Sequence, residues 1–460
     1  MKKLFWILFC FVSGWTVFGQ NTNAAAAPVW LTRPLALADC LNLALQQNAT
    51  LLKARNDLEA SQGIVVQTRA VALPQLQATG QYKNTDPNAI EDFPAGPGQP
   101  AFTPPHQNWN AGLQLVQSIY EGGRMVTAFK AATATRKQAL AQYQTSVADT
   151  MLTVRLAYYD VLLADQQITV NEASVNLLQR ELEDQQSRYD AGTVPKLNVL
   201  RAEVALANER PALIQARNNY RVAKNNLSVV LGYNLPRDVW EDIPLNLTDT
   251  LDAAPYQVDL PTAIQQALDR RPELADLRQA AELQRLNVVN AKAGYKPTVQ
   301  VFAGYNWYNA QFTEPVELDH DINGWNAGAQ LSWNIFDGLS THGKIVQARA
   351  NYDKSRTDLD DRSRQIELEV RTSYSDFITA RETLDSQTKV QEEAEEALRE
   401  AKARADAGTG TQLDVLDAQT SLTQARTTKV QALHDYDAAR ARLERAIGAE
   451  MVQNIPAAKS

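Results

Sequence analysis

The chain is written twice, and that duplication limits its possible folds more than any other feature. Displaced by 223 residues, Leu37, Leu41, Ala44, Leu45 and Leu51 fall on Leu260, Ile264, Ala267, Leu268 and Leu274, Pro74 falls on Pro297, and Tyr82 on Tyr305. Displaced by 216, Gly112 and Gly122 fall on Gly328 and Gly338, Val154, Arg155 and Tyr158 on Val370, Arg371 and Tyr374, and Tyr220, Leu227 and Gly232 on Tyr436, Leu443 and Gly448. The seven-residue change of displacement lies between Pro74 and Gly112, where the first copy carries the longer loop. Repeat architectures are built from one supersecondary unit used again. One unit therefore spans 35–232 and its twin 258–448, joined by a proline-containing segment at 233–257 and followed by a tail at 449–460.

Within each unit the hydrophobic period changes. A helical opening stretch, 38–70 or 261–293, ends near a proline, after which side chains alternate. Leu76, Ala78, Gly80 and Tyr82 share one face, as do Val299, Val301, Ala303, Tyr305 and Trp307. Trp109, Ala111, Leu113 and Leu115 form a second such row, and Trp325, Ala327, Ala329, Leu331 and Trp333 its twin. A period of two predicts strands, at about 74–83, 108–120, 297–309 and 324–336. An apolar face with aromatic ends fits a transmembrane β-barrel, and each strand taken singly fits a soluble β-sandwich too. Four strands cannot close a barrel, since the smallest need about eight, and an open edge is not tolerated in lipid. If the strands span a membrane, the barrel is shared, and three chains would supply about 12 strands at four per chain.

The remaining helices are longer than a globule needs. A stretch from Gly123 to about Asp190 lacks proline and internal glycine, and its twin runs from about Ser340 to Ala407. At 1.5 Å per residue each reaches ~100 Å. Each ends at Ala-Gly-Thr, and a second helix follows. In that helix Val415, Ala418, Leu422 and Ala425 step by three and four, as do Val199, Ala202 and Leu206 in the first copy. This is coiled-coil spacing. One charged residue interrupts each series, Glu209 in the first and Lys429 in the second. The opening and second helices together nearly match the long one, so they can stack end to end beside it. The result is a rod with strands at one end and Ala-Gly-Thr turns at the other.

Composition removes several alternatives. The chain has 460 residues, 44% hydrophobic and 21% charged, with a net charge of −8. No basic cluster points to nucleic acid as a partner. The four histidines, His106, His320, His342 and His434, match no metal-ligand spacing, and no cofactor motif is present. Lys2 and Lys3 precede an apolar run from Leu4 to Phe18, which is short of the ~20 residues of a membrane span. With Val17-Phe18-Gly19 before Gln20, residues 1–19 read as a secretory signal peptide, the other reading being a membrane anchor. Cys40 would then be the mature chain's one cysteine, a small side chain in a helical core.

The residues resemble the TolC-like outer-membrane efflux family over about 35–448. The most specific parts are the paired turns Arg188-Tyr189-Asp190-Ala191-Gly192-Thr193 and Arg404-Ala405-Asp406-Ala407-Gly408-Thr409, each followed by a Leu-x-Val-Leu helix start at 197–200 and 413–416. The resemblance implies an α+β membrane protein built from a duplicated strand-strand-helix-helix unit. It implies a homotrimer with a 12-stranded barrel in outer-membrane lipid, continued by a long periplasmic α-helical coiled-coil barrel. It also implies docking to a periplasmic adaptor (membrane fusion) protein and an inner-membrane transporter. By the family pattern the adaptor-docking tip would comprise Arg188, Gly192, Thr193, Arg404, Gly408 and Thr409, although the glycines are equally helix C-caps. Asp414 and Asp417 match the family's acidic pair at the pore constriction. The other reading is a solvated helix face, and the first copy has Asn198 and Arg201 there. Ala405 and Gly410 depart from the best-known member, where a tyrosine and an arginine help latch the gate. The chain is thus expected to be an export duct and not an enzyme. A periplasmic coiled-coil scaffold would use the heptads but not the strands. An exported hydrolase lacks a nucleophile elbow, a phosphate loop and a metal motif.

Overall fold

The computed structural model describes residues 33–90, 106–233, 243–309 and 321–449. The signal-peptide reading of 1–19, most of the long loop of the first copy, part of the 233–257 joint, and the tail beyond residue 449 lie outside the described residues.

The elements run α1 (Leu37–Gln47), α2 (Ala49–Ala70), β1 (Gln75–Asn84), β2 (Gln107–Glu121), α3 (Arg124–Asp190) and α4 (Lys196–Val230). The second copy follows as α5 (Leu260–Arg270), α6 (Pro272–Lys292), β3 (Thr298–Asn309), β4 (Asp321–Ser332), α7 (Ser340–Asp406) and α8 (Gln412–Ile447). Each opening stretch, read in the sequence as one helix, is two. The first breaks at Asn48, with φ −61° and ψ 127°. The second breaks at Arg271, with φ −66° and ψ 125°. The residue before a proline avoids the helical region, which explains the break ahead of Pro272. At Asn48 the side chain accepts from the N–H groups of Thr50 (2.8 Å) and Leu51 (3.3 Å), capping α2.

The strands form one antiparallel sheet in the order β1-β2-β3-β4. Register carries the apolar rows across it. Ala78 faces Leu113, which faces Tyr305, which faces Trp325. Leu76, Leu115, Ala303 and Ala327 form the next row. The opposite face is more polar, with Gln77, Gln114, Gly304 and Asn326 in one row and Thr79, Gly112, Asn306 and Gly324 in another, although Val116, Phe302, Tyr308 and Ile322 also stand on it. A Cβ on Gly112 would come within 2.5 Å of the Asn306 Oδ1, so the Asn306 side chain uses the space that the glycine leaves. Within one chain β1 and β4 are open edges, which must be paired elsewhere if the sheet sits in lipid. β4 begins earlier than its period predicts and stops before Trp333, whose indole instead donates to the Tyr295 carbonyl at 3.1 Å.

The two 67-residue helices, α3 and α7, run ~100 Å each. α3 packs on α2 and α6 toward the sheet and on α4 and α8 below, while α7 lies against α5, α6 and α8. Halfway down, the stacked helices meet and the core is densest. There Cys40, Ala44, Val154, Tyr158, Leu227 and Leu245 are buried together. Burial pushes the Cys40 thiol up to about 12, so it is a packing residue rather than a reactive one. In the second copy Ala267, Val370, Phe377, Tyr436 and Leu443 form the matching cluster. The described part of the joint lies on this collar: Leu35 bridges to Leu247, and the Tyr158 hydroxyl donates to Asp249 at 2.9 Å. Among the described residues no helix is long and apolar enough to cross a membrane.

Candidate functional site

The two turns at the far end of the rod have the same build. α3 ends in a Schellman motif: the Gly192 N–H donates to Tyr189 (2.8 Å) and the Thr193 N–H to Arg188 (2.9 Å). Gly192 has φ +74°, a conformation that costs other residues roughly 1–2 kcal/mol. The Thr193 hydroxyl donates to the same Arg188 carbonyl at 2.8 Å, which explains why threonine follows the glycine. α7 ends identically, with φ +73° at Gly408 and the Thr409 N–H and hydroxyl on the Arg404 carbonyl at 2.9 and 3.2 Å. All six tip residues named from the sequence therefore sit in or beside these two turns.

The turns differ in what they hold. Arg188 pairs with Asp184 on its own helix at 2.7 Å and with Asp406 of the other turn at 3.0 Å. It is thus the link between the two tips, and its hydrogen bond to Asp406 raises its pKa further. Among the described residues, Arg404 forms its ion pair with Glu400, within its own helix. Asp406 stands in the quoted turn motif but not among the expected tip residues, because its partner is 218 residues away and no local pattern pairs them.

Asp414 and Asp417 lie in the first two turns of α8, both exposed. Asp414 has a second task. It closes a capping box with Thr411: the Asp414 N–H donates to the Thr411 hydroxyl at 3.2 Å, and the Thr411 N–H donates to the Asp414 carboxylate at 2.8 Å. The bond from the Thr411 backbone holds the carboxyl below its ordinary range. Thr-x-x-Asp ahead of an apolar run is the signal of such a cap, one that the reading of Asp414 from the family pattern does not use. The first copy starts α4 at Pro195, which offers no side-chain cap. Asp414 is therefore fixed in position and ionised, and Asp417 stands one turn away.

Above the tips α3 and α8 meet along a seam rich in polar groups. Gln185 donates to Gln412 at 3.0 Å and to Glu181 at 3.1 Å, and the Ser174 and Thr423 hydroxyls lie 3.0 Å apart. Higher still, His434 bridges Asp160 of α3 (2.9 Å) and Asp435 of α8 (3.0 Å). Within the second hairpin, by contrast, Leu398, Val415 and Leu422 pack together as an apolar cluster.

Comparisons with known proteins match the fold over most of its length. The family model described as outer membrane efflux protein matches residues 40–233 and 263–449, once per copy. The chain is 26% identical to outer membrane protein TolC of Escherichia coli (strain K12) over 456 residues, which is 95% of this chain and 84% of that protein. Among solved structures, the CmeC outer membrane channel of Campylobacter jejuni superposes with a TM-score of 0.74 at 18% identity, covering 90% of this chain and 85% of that one. The outer-membrane channel OprN superposes with a TM-score of 0.73 at 20% identity, covering 90% and 89%.

Proposed function

The chain belongs to the outer membrane efflux protein family, and we propose that its gate is the end of the rod where the two hairpin turns meet. It is an outer-membrane efflux duct with a large periplasmic part. The observation that carries the reading is a four-stranded sheet with one apolar face and two open edges, continuous with helices of ~100 Å. Pairing β4 of one chain with β1 of the next removes both edges, and three chains give a barrel of about 12 strands. The more polar face of the sheet then lines the water-filled lumen, and the Trp, Tyr and Leu rows face lipid.

At the other end the α8 starts of three chains bring Asp414 and Asp417 together as six carboxylates around a narrow pore. A charged ring of this kind admits cations and repels itself. The capping box on Asp414 keeps the ring charged and in place. The exposed tips, with Arg188, Gly192 and Thr193 beside Arg404, Gly408 and Thr409, form the docking surface for a periplasmic adaptor. A rigid scaffold presenting two loops of the same backbone build suits that task. The adaptor couples the duct to an inner-membrane transporter, which supplies the energy. The duct performs no chemistry.

Planar-bilayer conductance of the purified trimer tests the gate. Asp414→Ala with Asp417→Ala is expected to raise conductance and to weaken block by multivalent cations. Unchanged conductance and block in a variant that still assembles as a trimer would put both carboxylates on the outer surface.

A further inference from the structure

Side chains hold α3 of the first copy to α8 of the second along their length: Gln185 on Gln412, Ser174 on Thr423, Asp160 on His434, Arg155 on Glu444 and Asp149 on Arg445. Histidine is the one side-chain type among them whose ordinary charge change falls between pH 5 and 8. Its link lies where the two copies meet, since Leu433 beside it packs against the buried clusters of both. The first copy has Asn218 at the matching place, so the titratable group belongs to the second copy.

The geometry requires the charged ring. The His434 Nε2 lies 2.9 Å from an Asp160 oxygen and the Nδ1 3.0 Å from an Asp435 oxygen. An ionised carboxylate only accepts hydrogen bonds, and a neutral imidazole has a single N–H. Only the imidazolium makes both contacts at once. The ring is 12% exposed, whereas both carboxylates are more than half exposed, so the ring is sheltered and its partners stay in water. Asp437, 6% exposed, adds a third anion from α8, with Asp252 of the joint and Arg440 of α8 about it. α4 brings Asn219 and Asn226, both neutral, to the groove beside Asp160. α7 runs antiparallel to α8 with Gln387 on Thr428, which puts the exposed Arg381 and Glu382, of opposite charge, at this level. Burial alone would lower the pKa of the imidazole, but the hydrogen bonds to Asp160 and Asp435 outweigh it and raise the pKa.

We propose that His434 is a proton-operated clasp between the two copies: the imidazolium pins α8 to α3 through Asp160, and loss of its proton releases this stretch of α8. A group with a raised pKa stabilises the folded contact in full below its unfolded value, and that contribution is lost as pH rises through the folded value. The clasp therefore closes toward pH ~6 and opens on the alkaline side of the ordinary histidine range. From His434 the helix continues to Asp414, ~30 Å away at 1.5 Å per residue, so the clasp holds the element that carries the acidic ring. That consequence rests on the duct reading; the clasp itself does not.

Hydrogen exchange of α8 peptides within 425–440 tests it in the purified trimer, with wild type and His434→Gln compared at the same pH so that intrinsic rates cancel. At pH 6.5 the wild type is expected to exchange about fivefold more slowly, the effect of one sheltered ionic hydrogen bond. At pH 9 the two should nearly coincide. The scan starts at 6.5 because burial raises the Asp437 pKa to about 6, and that titration must stay outside it. Asp160→Asn, which removes the partner on α3, should lose the same protection at pH 6.5. A ratio that does not change with pH makes His434 a packing residue and overturns the proposal, as does full protection in Asp160→Asn. If His434→Gln does not assemble, wild type against Asp160→Asn gives the same ratio from an exposed position. Conductance of the same preparations keeps the two readings apart. A conducting channel whose exchange ratio ignores pH sinks the clasp alone, and a pH-dependent ratio in a trimer that does not conduct keeps the clasp and sinks the duct.

Discussion

The two copies break their opening helix at the same place and in the same backbone geometry, yet they secure the break by different chemistry. In the first copy Asn48 does the work alone. Its carbonyl oxygen caps α2 and its amide donates to the Val230 carbonyl at 2.7 Å, tying the break to the end of α4. In the second copy Arg271 holds the position. It is 5% exposed and pairs with Glu273 at 2.7 Å and with Glu369 of α7. Glu273 also accepts from Arg445 of α8 at 2.8 Å, and Arg445 reaches Asp149 of α3 at 2.6 Å. The counterpart of Arg445 in the first copy is Val229, 57% exposed. Conserving the backbone through duplication therefore did not conserve what holds it. One copy uses a local cap, and the other uses an ion network joining α3, α6, α7 and α8 at the midpoint of the rod.

The largest expected effect breaks that network. Arg445→Met leaves Glu273 with one partner and removes one of the links from α8 to α3. Opening a buried pair from one side costs about 3–5 kcal/mol, so the trimer should melt markedly earlier at neutral pH. Val229→Met, in the first copy, should change little. The network also has a pH signature. Burial raises the Glu273 pKa, but the guanidiniums of Arg271 and Arg445 outweigh it and hold the carboxyl at about 2. A carboxylate lowered in this way stabilises the fold fully above its unfolded value, and that contribution is lost as pH falls through about 2. The shift corresponds to about 3 kcal/mol. Melting curves at pH 7 and pH 3 should show the gap between wild type and Glu273→Gln narrowing in acid. A gap that is constant or widens would mean that the ion pairs do not support the collar.

A smaller effect is expected in the first copy. Asn48→Ala removes the cap of α2 and the bond to Val230, at a cost of about 1–2 kcal/mol. This loss should not depend on pH between 3 and 7, since no charge is involved. A pH-dependent loss would tie the two halves of the collar together and end the distinction between them.

How much of this was open to reading depended on the range of the interaction. The duplication, the strand faces and the coiled-coil seams follow from periods of 2 and 3.5, and the register places Leu113, Tyr305 and Trp325 in one row as their alternation requires. The tip turns were legible because a Schellman motif is local and glycine marks it. The break at Arg271 was signalled by Pro272, and the break at Asn48 by an Asn ahead of Ala-Thr, but the unbroken Ala and Leu pattern hid both. Arg188–Asp406 and Arg445–Asp149 join residues 218 and 296 apart, and no local pattern records such pairs.

The smallest difference between the copies is the entry to the long helices. In the first, Gly122 and Gly123 both take positive φ, at 65° and 101°. In the second, Gly338 keeps φ 63° but Leu339 follows at 69°, the one non-glycine residue in that region among the described residues. A side chain there is strained by roughly 1–2 kcal/mol. Glycine would relieve the strain, but it adds unfolded-chain entropy that costs about 0.5–1 kcal/mol. Leu339→Gly should therefore move the melting temperature of the trimer hardly at all if only the backbone matters, while Gly123→Leu should lower it. Leu339 is 68% exposed within one chain and stands at the rim of the sheet beside Phe336, 81% exposed. If this rim meets lipid headgroups or a neighbouring chain, Leu339→Gly loses apolar contact as well and becomes clearly destabilising. Measured in detergent and again in lipid nanodiscs, a loss that appears only in lipid assigns the leucine to the membrane boundary. A loss of equal size in both assigns it to the contact between chains, and no loss in either leaves the strained residue as a neutral departure from the paired glycines of the first copy.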